Sequence, residues 1–429
     1  MRVWILNHYA ITPDQAGGTR HFDLSRELVR RGHDVTILAS SFHHYQRRYE
    51  RDTSPRGWLV EVVDGVRFVW LRTCAYGGNG WRRGWSLVDY WRLARRWGTR
   101  LSKTGGPLAP PPDLVLGTSV HLLAALAGSQ LAGRFRVPFA MEVRDLWPQT
   151  LIDIGALGER HPVTRVLSVL ERYLYRRAVR IVTPLPMAHE YITGLGIPRE
   201  RIVWIPNGVD LERYPPPDGE DSLGHEGFCV MYLGSHGPAN DLRVLLRAAL
   251  EIQRRGAEDV RVVLVGDGPE KRDLMREAEA RGIRNVEFRD PVRKTEIPAV
   301  LRQADATTFV LADLPLYRFG VSLNKTFDYL AAGKPLIVAG RPRNDIVAEA
   351  GCGLRVPPGD PAALARAILE LRALPAVERR AMGMRGRRHL EETYDIRILG
   401  RRLEECLQAC MIKAERPGRV GAADRRSAG

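Results

Sequence analysis

The stretch SLNKTFDYLAAGKPLIVA, residues Ser322–Ala339, predicts a loop, a helix and a strand in immediate succession. The helix begins near Asn324 and ends at Gly333 and Pro335, because glycine and proline terminate helices. The apolar run that follows predicts the strand. A helix N-terminus leaves backbone N–H groups unpaired and carries partial positive charge. With Lys325 in the first turn, this segment predicts an anion site, and phosphate is its natural occupant.

A carboxylate lies close to that lysine. Asp328 follows Lys325 by three positions, so both side chains should project from nearly the same helix face. A cation for phosphate beside a carboxylate for sugar hydroxyls would suit a nucleotide diphosphate ligand. Taken alone, the segment is better explained by a solvent-exposed Lys–Asp pair on an ordinary amphipathic helix. The rest of the chain decides between these interpretations.

Length and composition indicate a two-domain globular protein. The 429 residues suit two domains of roughly 200 residues each. No apolar run approaches the length of a membrane-spanning helix, and Met1–Asn7 is too short for a signal peptide and predicts a buried strand. The 5 cysteines are scattered and lack metal-site spacing. We expect a reduced cytoplasmic location, peripheral at the inner face of the cell membrane, and no bound metal.

The net charge of +15 has two functional explanations, nucleic acid and an anionic membrane surface. Genome composition is a third explanation, since most of the excess is arginine. No zinc-finger spacing, aromatic RNP-type signature or basic-region heptad accompanies the charge, so we expect no nucleic-acid partner.

The best membrane candidate is the segment Trp81–Trp97. Trp81, Trp85, Val88 and Trp91 recur there at three- and four-residue spacing, interleaved with arginines. Basic amphipathic helices rich in tryptophan lie in membrane interfaces. The segment therefore predicts contact with the anionic inner-membrane surface. The alternative is that these tryptophans pack against the first domain.

Short apolar runs alternate with longer amphipathic segments in both halves of the chain. This alternation predicts βαβ units and parallel sheets, with one hairpin inserted at 59–71. A proline-rich stretch, 214–219, separates the two series. The predicted fold class is α/β, with two Rossmann-like domains facing across a cleft. We expect domains at 1–206 and 207–392, a C-terminal helix at 393–412 and a disordered tail at 413–429.

Glycine-containing turns follow several predicted strands and precede helices, which is where open α/β sheets bind ligands. Glycine lets backbone approach a ligand closely, although glycine and aspartate also occupy such turns for conformational reasons. The turns are Gly17-Gly18 before Arg20, Gly234-Ser235, and Gly266-Asp267.

A cluster of charged residues ends another predicted strand. Glu142, Arg144 and Asp145 follow an apolar run within four residues. A carboxylate at this position could orient or deprotonate an acceptor hydroxyl, and Asp145 is our catalytic candidate. An internal salt bridge, Arg144–Asp145 or Glu142–Arg144, explains the cluster equally well.

The ordered motifs resemble a known family. Residues Asn324–Pro335, with Pro206-Asn207-Gly208-Val209-Asp210 and Gly266-Asp267-Gly268-Pro269, are similar to the retaining GT-B glycosyltransferases of family 4. Within that family the chain looks closest to the amino-sugar transferases of bacterial O-antigen and capsule pathways. The resemblance covers roughly residues 1–410. It implies that 1–206 is the acceptor domain, that 207–392 is the nucleotide-sugar donor domain, and that the helix at 393–412 packs back on the first domain.

The resemblance implies roles for individual residues. Lys325 would contact the donor diphosphate, and Asp328 would hold the ribose. Ser322, Leu323 and Asn324 would face the donor sugar and phosphate. The remaining donor-site residues implied by the resemblance or by the turn analysis are Gly17, Gly18, Arg20, Gly234, Ser235, Gly266, Asp267 and Val292.

The chain departs from the family pattern at three places. The family carries a pair of acids eight residues apart, but the position eight before Asp328 is Gly320. The arginine–lysine phosphate clamp is not clear in 234–245, which leaves Lys325 to carry that role, with Arg243 or Arg318 as candidate partners. The usual first-domain histidine has no secure match.

The resemblance implies a metal-independent transferase that moves a hexosyl or N-acetylhexosaminyl group, with retention, to a lipid-linked or glycan acceptor. The donor would be a nucleotide diphosphate sugar, UDP-linked, and no cofactor is expected. Two alternatives stay open. One is a nucleotide-sugar epimerase of the same architecture, and the other is a non-catalytic component of a polysaccharide complex.

Overall fold

The computed structural model describes residues 1–44, 46–78, 80–216 and 227–414. The end of the predicted linker, 217–219, and nearly all of the predicted tail lie outside the described residues.

The first domain is built on a sheet that, within the described residues, has eight strands in the order β3-β4-β2-β1-β5-β6-β7-β8. All neighbours are parallel except β3 and β4, which form the predicted hairpin. Its turn residues Asp64 and Gly65 have φ of 49° and 80°, as a tight hairpin turn requires. The strands are β1 (Arg2–Leu6), β2 (Asp34–Ser40), β3 (Trp58–Val63), β4 (Val66–Leu71), β5 (Leu114–Thr118), β6 (Phe139–Glu142), β7 (Arg180–Thr183) and β8 (Ile202–Trp204).

Helices cover both faces of this sheet. They are α1 (Arg20–Arg30), α2 (Trp81–Leu101), α3 (Leu122–Phe135), α4 (Gln149–Asp153), α5 (Pro162–Arg177) and α6 (Ala188–Gly194). One core lies between the sheet and α2, α3 and α5, and a second core lies under α1. Apolar side chains fill both cores because strands covered on both faces must be apolar throughout.

The second domain has a smaller sheet, in which the described residues contribute six parallel strands in the order β11-β10-β9-β12-β13-β14. These are β9 (Phe228–Leu233), β10 (Val260–Val265), β11 (Val286–Arg289), β12 (Ala306–Val310), β13 (Leu336–Ala339) and β14 (Gly353–Val356). The helices are α7 (Leu242–Arg254), α8 (Lys271–Ala280), α9 (Ile297–Arg302), α10 (Asn324–Ala331), α11 (Ile346–Ala350), α12 (Pro361–Ala373) and α13 (Ala376–Thr393). The prediction of two parallel-sheet α/β domains is confirmed.

The final helix, α14 (Ile396–Ala414), returns to the first domain. Leu399, Leu403 and Leu407 are buried in the core beneath α1. At the surface, Glu404 accepts hydrogen bonds from Arg31 and His33 at 3.3 and 2.8 Å. The chain therefore crosses between the domains twice.

Candidate active-site cleft

A cleft of about 400 Å³ lies between the domains, at the carboxyl ends of the strands. This is where two open α/β sheets facing each other place a ligand. First-domain loops after β1, β2, β5 and β6 form one wall, and the segment before α10 forms the other. Among the residues lining it are His8, Gly17, Gly18, Arg83, Arg144, Asp145, Gly320, Ser322, Leu323 and Asn324.

The β1–α1 loop touches the start of α10 across the cleft. A Cβ placed on Gly18 would lie 2.1 Å from Nδ2 of Asn324, so this approach requires glycine or a moved asparagine. Gly17 has φ of 140°, a conformation that favours glycine. On the adjacent side, the Asn207 N–H donates to Oγ of Ser322 at 2.8 Å. Gly17 and Gly18 thus lie against the start of α10, and their role in binding the donor stays a prediction.

Lys325 lies in the first turn of α10, with its ammonium against the β9–α7 loop. Nζ donates to the Tyr232 hydroxyl at 2.8 Å and to Oδ1 of Asn240 at 2.7 Å. Both partners are uncharged, and burial lowers the pKa of Lys325 to about 7. A Cβ on Gly234 would lie 3.1 Å from Nζ, so glycine leaves room beside the ammonium. The result is a desolvated cation next to a helix N-terminus, which favours a bound anion.

Asp328 is not among the residues that line the cleft, and it does not pair with Lys325. It is buried, and its Oδ1 accepts hydrogen bonds from Lys294 Nζ at 2.5 Å and from the Tyr214 hydroxyl at 2.7 Å. The solvent-exposed Lys–Asp pair is therefore wrong, because each side chain has other partners. The role of Asp328 in binding the ribose stays a prediction. The sequence pattern gave no indication that Lys294 pairs with its carboxylate.

The prediction that Arg20 binds the donor is wrong. Its side chain is buried, and Nε donates to Glu142 at 2.8 Å. The two terminal nitrogens donate to the backbone carbonyls of Pro206 and Ile205. All three nitrogens of the guanidinium therefore hold the chain where it leaves the first domain, and Arg20 is not among the residues that line the cleft.

Glu142 belongs to the same internal network. Its other oxygen contacts His21 Nε2 at 2.5 Å. Burial alone would raise the pKa of Glu142, but His21 and Arg20 more than offset this effect and lower it. The Glu142–Arg144 salt bridge considered from the sequence does not form, since Arg20 and His21 take both oxygens.

Arg144 and Asp145 face the cleft instead. The Asp145 carboxylate is open to the cleft, and protein surrounds it on the other sides. Desolvation raises its pKa, although the positive charge of Arg144 lowers the pKa in part. A carboxylate with a raised pKa in a cleft suits proton transfer. Its catalytic role stays a prediction.

Gly320 occupies the position where the family carries its first acid. It has φ of 80°, and a Cβ there would lie 2.5 Å from Cγ of Pro186 and 2.9 Å from Oδ1 of Asn344. Neighbouring Phe319 packs into the first-domain core, with its ring 5.8 Å from that of Tyr191. The close approach of the domains at this point explains why glycine stands there.

The remaining predicted donor residues surround the ammonium of Lys325 or lie farther along the sheet edge. The Ser235 carbonyl accepts from the Tyr232 hydroxyl at 2.7 Å. Gly266 packs so closely that an added Cβ would lie 2.0 Å from the Gly234 carbonyl oxygen. Asp267 is exposed, and Val292 packs partly buried on the second-domain core.

Sequence reasoning missed a group of aromatic and imidazole rings on the first-domain wall. His8 follows β1, with ring centroids 4.5 Å from both Tyr9 and Tyr90, and its Nδ1 lies 2.9 Å from Nε2 of His121. Burial lowers the pKa of His8 well below its ordinary value. The position of His8 at the carboxyl end of the first strand was the feature of the sequence that could have indicated this group.

Within the described residues, no cluster of three or more His, Cys, Asp or Glu side chains could hold a metal ion.

The tryptophan-rich helix α2 divides into two parts. Trp81 and Trp85 are 79% and 49% exposed. Trp91 donates from Nε1 to Gln130 at 2.9 Å, and Trp97 packs against Trp58 with centroids 5.7 Å apart. Packing against the domain therefore accounts for the C-terminal tryptophans of α2 only.

None of the helices in the described ranges combines the length and apolarity needed to span a bilayer.

Two sequence families match the chain. Residues 16–208 match the glycosyl transferase 4-like domain, and residues 227–373 match the glycosyl transferases group 1 domain. Together with the architecture, these matches define a GT-B protein with one domain of each kind.

Solved structures support the same fold. Sucrose-phosphate synthase from Thermosynechococcus elongatus aligns with a TM-score of 0.74 and 17% identity, over 96% of this chain and 99% of that one. The Anabaena protein HepE, in complex with UDP and glucose, aligns with a TM-score of 0.66 and 15% identity, over 95% and 99% of the two chains.

Among curated proteins, the D-rhamnosyltransferase WbpZ of Pseudomonas aeruginosa is 32% identical over 48% of this chain and 54% of its own length. The D-inositol 3-phosphate glycosyltransferase of Nocardia farcinica is 29% identical over 52% of this chain and 50% of its own. The chain thus spans about half the length of these two relatives. WcaI of Escherichia coli, whose name assigns it provisionally to colanic acid biosynthesis, is 21% identical over 65% and 69%. The chain belongs to family 4 of the GT-B glycosyltransferases, which confirms the resemblance seen in the sequence.

Proposed function

We propose that this protein transfers a sugar from a nucleotide diphosphate sugar to a lipid-linked or glycan acceptor of bacterial surface polysaccharide synthesis, with retention and without a metal. The observation that carries the proposal is the Lys325 ammonium, desolvated between uncharged partners at the start of α10. A diphosphate would supply the missing negative charge.

The chemistry follows from that charge. When the glycosidic bond to the nucleotide breaks, negative charge develops on the departing diphosphate. A preorganised cation and the N–H groups at the α10 N-terminus would stabilise it without reorganising water. Gly17 and Gly18 let the β1–α1 loop close over the same ligand, and Asp145 stands across the cleft as the candidate base.

The names of similar proteins support the donor and pathway classes. HepE has been solved with UDP and with UDP-glucose, which favours UDP. WbpZ is a D-rhamnosyltransferase, and WcaI and TuaH carry names from colanic and teichuronic acid biosynthesis. We extend the class, sugar transfer in bacterial polysaccharide synthesis, to this chain.

Membrane contact at the inner face of the cell membrane is part of the proposal. Trp81 and Trp85 project from the start of α2, next to Arg82. On α5, Val166 and Val169 are 67% and 70% exposed. Apolar side chains among arginines suit an anionic interface, and a lipid-linked acceptor would be presented there.

The test begins with binding. Nucleotides and nucleotide sugars are screened for their effect on the melting temperature, since ligands that bind only the native state raise it. The nucleotide sugar with the largest effect is then incubated with enzyme alone and with membrane lipid extract. Sugar transfer to lipid, absent in Lys325→Ala, supports the proposal. Isomerised donor without acceptor would indicate an epimerase, and no binding by any nucleotide would indicate a non-catalytic component.

A further inference from the structure

A line of hydrogen bonds connects the N-terminus of α3 to the cleft through two histidines. His121 is the N-cap of α3, and its Nδ1 accepts from the Ala124 N–H at 3.2 Å, a donor that also reaches the His121 carbonyl at 3.1 Å. An imidazole nitrogen that accepts from a backbone N–H carries no proton. The proton of neutral His121 must therefore be on Nε2.

The tautomer of His8 follows from that of His121. The two rings meet edge to face at 79°, with Nε2 of His121 2.9 Å from Nδ1 of His8. His121 donates, so Nδ1 of His8 accepts, and the proton of His8 is on Nε2. Burial lowers the pKa of His8 well below its usual range and that of His121 to about 3, so both rings are neutral near pH 7.

The ring of His8 is fixed in place. It is 1% exposed and stacked between Tyr9 and Tyr90, with interplanar angles of 18° and 8°. Tyr90 is itself anchored, because its hydroxyl donates to the Leu38 carbonyl at 2.7 Å. Since Nδ1 is taken by His121, Nε2 is the ring nitrogen left to face the cleft that His8 lines.

We propose that the His121–His8 pair presents a fixed Nε2–H donor of His8 to an uncharged oxygen, hydroxyl or carbonyl, of the sugar carried by the nucleotide. This inference rests on the proposed function. His8 opens the same β1–α1 loop whose Gly17 and Gly18 face the start of α10, so the donor nucleotide would bring its sugar to this wall. His121 is a positioning residue that selects the tautomer, and His8 in this form cannot act as a base.

Two substitutions of His8 separate its ring nitrogens. Gln places an amide N–H near the position of Nε2, whereas Asn keeps a group near Nδ1 and loses the donor to the cleft. We expect His8→Asn to weaken binding of the nucleotide sugar about 3- to 10-fold and to leave binding of the matching nucleoside diphosphate unchanged. His8→Gln should stay within about twofold of the wild type for both ligands. Equal losses in the two variants, equal losses for the two ligands, or no loss in His8→Asn would each overturn the proposal.

Nitrogen-15 NMR of histidine-labelled protein tests the tautomer without any ligand. Of the 11 histidines, the His8 signals are identified by their loss in His8→Gln. We expect protonated Nε2 and unprotonated Nδ1, and the reverse assignment would refute the proposal. His121→Asn keeps an N-cap for α3, but its shorter side chain lacks the Nε2–H group that reaches His8, so His8 should then show both tautomers. If the wild type bound no nucleotide, the proposed function would fail while this measurement still decided the tautomer.

Discussion

Protonation of Lys325 should be coupled to binding of the donor. With a pKa of about 7 in the free protein, roughly 0.9 of the Lys325 side chains are uncharged at pH 8 and about 0.1 at pH 6. A bound diphosphate favours the ammonium and raises this pKa. Binding should therefore take up about 0.9 proton at pH 8 and about 0.1 at pH 6, and affinity should fall toward tenfold per pH unit above 7.

Titration calorimetry in buffers of different ionisation enthalpy measures this uptake directly. The nucleotide sugar is the right ligand, because its diphosphate diester keeps its charge across this range. Lys325→Arg is the matched control, since arginine stays protonated and should take up no proton. A wild type that takes up no proton at pH 8, or an arginine variant that takes up as many, would refute the reasoning. Protons bound by any other group would appear in both proteins.

The same pKa has a consequence for stability in the absence of ligand. A lysine whose pKa is lowered on folding destabilises the protein below its unfolded pKa, and this cost disappears as pH rises above that value. The lowering of the pKa from 10.5 to about 7 corresponds to a loss of at most about 4 kcal/mol in the free energy of unfolding at pH 7.5. The actual loss is smaller, because water still reaches part of the side chain. Lys325→Met should therefore raise the melting temperature at pH 7.5 while abolishing donor binding. A lower melting temperature would show that the contacts with Tyr232 and Asn240 outweigh desolvation.

Three further predictions concern the rest of the molecule. Glu142→Gln should destabilise the first domain by about 3 kcal/mol or more, because Arg20 would stay buried without its charge partner; chemical denaturation measures this, and an unchanged midpoint would contradict it. Gly320→Glu should separate the domains, since a Cβ at this position would lie 2.5 Å from Cγ of Pro186. Solution scattering should then give a larger radius of gyration. An unchanged radius with tighter donor binding would mean that the structure tolerates the acid. Trp81→Ala with Trp85→Ala should reduce sedimentation with anionic liposomes several-fold while leaving neutral liposomes unaffected, and equal partitioning of variant and wild type would exclude α2 as the contact.

The fold could be predicted from sequence because periodicity and turn chemistry are local. The run at 322–339 indicated its helix and strand within a residue or two, and Asp64-Gly65 indicated the hairpin. The site was less predictable, since partners distant in sequence determine where a charge points. Arg20 follows a glycine turn as a ligand-binding arginine would, but Glu142 and two carbonyls hold it inside. Lys294 reaches Asp328 across 34 positions, a pairing for which periodicity offers no signal.

The return of α14 to the first domain has a consequence for biosynthesis. The core beneath α1 needs Leu399, Leu403 and Leu407, yet about 190 residues separate the end of β8 from the start of α14. At a typical rate of about 5–20 residues per second, a ribosome makes that stretch in about 10–40 s. During this interval the first domain, already outside the ribosome, exposes an apolar groove that its own last helix has yet to fill. The second domain can therefore complete its core before the first domain does, although the first is synthesised earlier.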